Sequence, residues 1–161
     1  MTDTATDVMA RTLYGEARGC GVIGMSHVAM VIMNRVNNPR WWGHDIESVC
    51  KAPYQFSCWL ESDPNLAKMK EVTTADPQFR AALSIAGQAI AGKLDDATEN
   101  ADSYYALSMR EPPIWAAKAA KTLADGFHQF CRTELPAKVE HCDVSPVSVN
   151  ATVAAGEEKT G

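Results

Sequence analysis

The 161-residue chain has no uninterrupted apolar run longer than the six residues from Val28 to Met33, far short of the ~20 that a membrane-spanning helix needs. Stable membrane insertion is therefore not expected. A basic excess is also missing: 15 Lys and Arg face 20 Asp and Glu, for a formal charge of −5 and a pI near 5.3, so no nucleic-acid partner is expected. The start, MTDTATDVMARTLYGE, has acidic residues where a secretory signal has basic ones and no apolar segment after them, and the expectation is synthesis and folding in a cytosol. The five cysteines, at 20, 50, 58, 131 and 142, form no CxxC pair. They read as buried reduced thiols, with pairing in an oxidising compartment left open. What is present, 46% hydrophobic and 22% charged residues, fits one globular domain with an ordinary core.

Along the chain, Thr6 to Arg18 reads as a helix, capped by Thr6 or Asp7, with Met9, Leu13 and Ala17 on one stripe and Gly19 at its end. Gly24 to Val36 is apolar on most sides, as in a central helix. The stretch from Arg40 to Asn65 is rich in aromatic and polar residues with Gly and Pro between them, and is expected to be a long, partly extended loop lining a cleft. Asp76-Pro77 opens a helix whose stripe of Phe79, Ala82, Leu83, Ala86 and Ile90 runs to Gly92. A polar turn then leads into an extended segment at Tyr104-Tyr105-Ala106, a short helix is expected over Trp115 to Lys121, and the segment around His128 suits a strand or closing turn. Residues 1–135 are read as the catalytic domain and 136–161, which show no periodicity or aromatic residue, as a flexible tail.

Glu16 is the informative residue of the first helix. At ~100° per residue it lies roughly 20° around the axis from Met9 and so shares the apolar face, while Arg11 and Arg18 point the other way. A carboxyl packed against apolar groups holds its proton more strongly, which suits a general acid. Gly15 and Gly19 are expected to leave room beside it for a bulky substrate. The competing reading is that Glu16 pairs with an arginine or sits at a helix rim.

ARTLYGEARG at 10–19, VAMVIMNRV at 28–36, QFSCW at 55–59, the Asp96–Thr98 turn with YYA at 104–106, and GFHQFC at 126–131 occur in one order. Together, over residues 7–132, they resemble the SleB-like cell wall hydrolases, a family of spore-cortex-lytic enzymes and phage endolysins. The resemblance implies an α+β, mainly α, lysozyme-like single domain that cuts peptidoglycan between N-acetylmuramic acid and N-acetylglucosamine, with Glu16 as catalytic acid. No metal or organic cofactor is implied. With a single essential glutamate, the muramic acid C6 hydroxyl attacks the anomeric carbon and gives a 1,6-anhydro product; a second carboxylate would instead support hydrolysis, and Asp45, Asp63 and Asp96 are its candidates. A sugar groove needs aromatic faces and hydrogen-bonding side chains, and Gln55, Phe56, Ser57, Trp59, Tyr104 and Tyr105 supply both. Phe56 also suits the core, and Trp41-Trp42 a hydrophobic plug. Where the family has a DPTGGAT-like turn, this chain has DATENAD at 96–102, so Glu99 and Asn100 are expected to shape that turn differently.

Three other classes compete. A cysteine peptidase or amidase acting on the stem peptides would use Cys58 or Cys131 with His128. A zinc amidase would draw ligands from His27, His44, His128, His141 and the cysteines, although no HxxxH or CxxC spacing is present. A non-catalytic glycan-binding module would use the same aromatic residues without the acid. The missing signal suits a phage or prophage endolysin made in the host cytoplasm, released through a holin and acting on the periplasmic wall of a Gram-negative host.

Overall fold

The computed structural model describes residues 4–133. The expected tail at 136–161, with His141 and Cys142, lies outside the described residues. Helix α1 runs Thr4–Ala17, so Thr6 and Asp7 fall inside its first turn and do not cap it. Asp7 instead accepts from Arg11 one turn on, at 3.0 Å. The guanidinium of Arg11 also donates to the Met69 and Val72 carbonyls at 2.7 and 3.1 Å. A 3-10 turn, Arg18–Cys20, leads into α2, Gly21–Asn37. Val28, Ala29, Val31 and Ile32 of α2 are wholly buried, which makes it the expected central helix.

The region read as an extended loop, 40–65, contains a short helix, α3 at Ile46–Lys51, and a 3-10 turn at Ser57–Trp59, and it ends where a second short helix, α4 at Asn65–Glu71, begins. Six or seven residues are too few for a helical stripe to stand out. The start of α3 is nonetheless written in Asp45 and Ser48, which cap each other's backbone reciprocally. Helix α5 spans Pro77–Ile90 as expected, with the Asp76 side chain accepting from the Gln78 N–H at 2.7 Å. The Tyr14 hydroxyl donates to the other oxygen of Asp76 at 2.8 Å, which pins α5 to α1.

α5 packs on both α1 and α2, and together they form the main core. The helical run Thr4–Asn37 is long and apolar enough by composition to cross a membrane, but half of its apolar window is buried in this core. Beside the helices lies an antiparallel sheet of β1 (Ser103–Ala106), β2 (Ala120–Ala124) and β3 (His128–Arg132), in the order β1-β3-β2. The segment read as a short helix over 115–121 is a 3-10 turn at Ile114–Lys118 that gives way to β2.

The DATENAD turn keeps the backbone that glycines favour. Glu99 and Asn100 have φ of 59° and 69°, in the left-handed region that is costly for a residue with a Cβ. Asp96 holds the turn closed: its oxygens accept from the Thr98 and Asn100 N–H groups and from the Asn34 amide, at 2.8 to 3.0 Å. Burial alone would raise its pKa, but these hydrogen bonds outweigh that and hold it below the usual carboxylate range.

Candidate active site

Glu16 occupies the last turn of α1 and is half-buried. Its Oε2 accepts the Cys58 backbone N–H at 3.0 Å and its Oε1 accepts the Tyr104 hydroxyl at 3.2 Å. The carboxyl is therefore held between the 3-10 turn of the QFSCW segment and strand β1, two parts of the chain that meet only through folding. Of the two arginines nearest in sequence, Arg18 donates to the Tyr14 carbonyl and the Asn65 side chain, and Arg11 donates to Asp7 and to α4.

Gly15 makes this approach possible in a different way from the one expected. A Cβ there would lie 2.7 Å from Cys58 Cβ and 2.9 Å from Met69 Sδ, so the missing side chain lets the Cys58 turn reach Glu16 and leaves no space for substrate. Beside Gly19 nothing lies within 4 Å, and that side is open.

Tyr104 is 2% exposed, stacks edge-on to His128 at 4.8 Å and pairs across the sheet with Phe130. Tyr105, the next residue, points to the opposite face, because side chains alternate along a strand. It packs against Trp115 in a separate small cluster with Cys131, so the structure does not bring it to Glu16. Gln55, Phe56 and Ser57 are each at most 2% exposed. Gln55 accepts from Arg35 at 3.1 Å, and Phe56 belongs to the core; neither presents a surface to a sugar in this state. Trp59 is half-buried, donates from Nε1 to Thr12 Oγ1 at 2.9 Å and carries the Lys51 ammonium over its ring. Trp42 is buried as a plug would be, at 1% exposure.

The residue that sequence reasoning missed is Arg35. It is 1% exposed, donates from Nε to the Asp102 carbonyl at 2.7 Å and from Nη1 to Gln55 Oε1, and lies 4.9 Å over the Trp42 ring. Burial brings its pKa down to about 10. Asp102 is two residues before Tyr104 and Gln55 three before Cys58. One guanidinium thus ties together both segments that grip Glu16.

The three candidate second carboxylates have other uses. Asp45 caps α3, Asp96 closes its turn, and Asp63 accepts the Asn65 N–H at 2.7 Å. The cysteine readings fare no better. Burial and the charge of Glu16 push the Cys58 thiol well up, away from the thiolate a nucleophile needs. Cys131 is pushed up to about 12 by burial and by Asp102, and it faces the Tyr105 cluster while His128 faces Tyr104. Among the described residues no group of three or more His, Cys, Asp or Glu comes together as a metal site.

A family model described as Cell Wall Hydrolase matches residues 19–131. The chain belongs to this family of cell wall hydrolases. The match begins three residues beyond Glu16, so the place of Glu16 is argued from geometry. Among solved structures, the catalytic domain of the germination-specific lytic transglycosylase SleB from Bacillus anthracis is similar at 25% identity and a TM-score of 0.59, over 82% of this chain and 97% of that chain. The fold is accordingly lysozyme-like, mainly α with one small sheet. No curated protein matches the chain significantly.

Proposed function

We propose that this cell wall hydrolase cuts the glycan strand of peptidoglycan as a lytic transglycosylase, with Glu16 as its only acid and base. The supporting observation is the carboxyl of Glu16, half-buried and aimed by the Cys58 N–H and the Tyr104 hydroxyl, with Asp45, Asp63 and Asp96 engaged in caps and turns. The similar Bacillus anthracis domain, itself a lytic transglycosylase, favours the same chemistry. Protonated Glu16 donates to the oxygen between N-acetylmuramic acid and N-acetylglucosamine, and the C1–O bond breaks as the muramic ring becomes oxocarbenium-like. The resulting carboxylate takes the proton from the muramic acid C6 hydroxyl, whose oxygen bonds to C1. Glu16 ends protonated, and no water is consumed.

Digestion of purified sacculi tests the bond class. New glycan ends without new free amino groups are the expected result; new amino groups would replace this reading with a stem-peptide hydrolase. The setting we propose is lysis by a phage or prophage endolysin reaching the wall through a holin. Protein added from outside a Gram-negative cell then digests the wall only after the membrane is permeabilised, and lysis of intact cells would contradict it.

Tyr104→Phe removes the hydroxyl that donates to Glu16 Oε1 and keeps the ring packing on His128 and Phe130. A hydrogen bond to a charged group is worth about 1.5–3 kcal/mol, so the turnover rate is expected to fall about tenfold or more in a protein whose circular dichroism spectrum stays folded. Unchanged turnover would mean that the hydroxyl does not orient the acid.

A further inference from the structure

At the end of the sheet where β1 begins and β3 stops, a polar pocket of about 270 Å³ is lined by Asn34, Asn38, Arg40, Asn100, Asp102 and Arg132, with Trp42 as its apolar wall. The carboxylate of this pocket is already engaged: Asp102 accepts from the Ser103 hydroxyl and from the N–H and hydroxyl of Thr133 at 2.8 to 3.1 Å. Arg40 lies 4.6 Å over the Trp42 ring and 3.9 Å from Asp102. That distance is too long for a hydrogen bond, and Arg40 donates none among the described residues. The Asn34 amide nitrogen is spent on Asp96 and the Ala101 carbonyl, and that of Asn38 on the Asn34 carbonyl, which leaves both amide oxygens as acceptors.

A guanidinium held on an indole with its donors unspent, beside two amide oxygens, is complementary to a carboxylate next to peptide N–H groups. We propose that this pocket binds a free carboxylate of the peptidoglycan stem peptide, with the carboxylate on Arg40 and peptide N–H groups on Asn34 and Asn38. The proposal rests on the peptidoglycan reading above. It makes the enzyme select strands that carry stems. The two sites are neighbours along the chain: Asp102, the residue before β1, lines the pocket, and Tyr104 two residues later reaches Glu16.

The probe is a synthetic tetrapeptide of stem composition with free carboxylates, titrated into the full-length protein and followed by NMR at the Trp42 indole and the Asn100 side chain. Its carboxamide form and acetate serve as controls. Saturable shifts with the free peptide only, and a dissociation constant about tenfold higher or more in Arg40→Gln with partial recovery in Arg40→Lys, are expected. No binding, equal binding of the carboxamide, or an acetate affinity matching that of the peptide would overturn the assignment. Cleavage of the peptide during the titration would instead overturn the glycan-cutting reading beneath it. Failure of the pocket alone would leave sacculus digestion by the same protein intact.

Discussion

Glu16→Gln should retain the fold and lose about 10² to 10⁴ of the rate of glycan cleavage, the range that a positioned acid and base contributes. The glutamine is isosteric. Its carbonyl oxygen can still accept the Cys58 N–H, and the Tyr104 hydroxyl can turn to accept from the new amide, so both grips on the side chain survive. What is lost is the exchangeable proton, which the leaving sugar and the C6 hydroxyl both require. Circular dichroism and melting temperature should match wild type, while muropeptide release falls by about 10² to 10⁴. A folded Glu16→Gln protein that cuts within a few-fold of wild type would remove the acid from the mechanism.

Arg35→Met should have the largest effect on stability. The methionine fills much of the volume over Trp42, yet it leaves the Asp102 carbonyl and Gln55 Oε1 without their donor. Each buried acceptor left unpaired costs about 1–3 kcal/mol, so a loss of about 2–6 kcal/mol is expected, a large share of the 5–15 typical of a domain. Urea unfolding measures it directly. Arg35→Lys keeps a charge but lacks the planar fork that reaches two acceptors at once, and should fall between the two. Because Arg35 holds the segments carrying both Tyr104 and Cys58, turnover in whatever remains folded should fall as well. A loss below about 1 kcal/mol, the level of an ordinary surface change, would show that the guanidinium is not the tie between sheet and loop.

The sequence made Glu16 visible because seven residues from Met9 is almost two full helical turns, a periodicity that survives any detail of packing. α5 was legible for a similar reason, with a cap, a proline at its start and a long stripe. α3 and α4 escaped because their length hides a period. Of the site, Tyr104 was found through its motif, but so was Tyr105, and the alternation of side chains along a strand was the signal that only one of two neighbours can face the acid. The Cys58 contribution is a backbone N–H, which no residue identity reveals. The role of Arg35 was equally hidden, since its partners lie 67 and 20 residues away and one of them is a carbonyl. Gln55 and Ser57 were polar residues in a matched motif and so were read as sugar contacts; folding turns them inward, where Gln55 serves the guanidinium.

Mass spectrometry of muropeptides released from purified peptidoglycan, by wild type and by Glu16→Gln side by side, tests the central claim most directly. A single carboxylate that routes the C6 hydroxyl onto the anomeric carbon yields 1,6-anhydro muropeptides from wild type and at least about a hundredfold fewer from the variant. Reducing-end products one water heavier, or anhydro products released equally by Glu16→Gln, would contradict it.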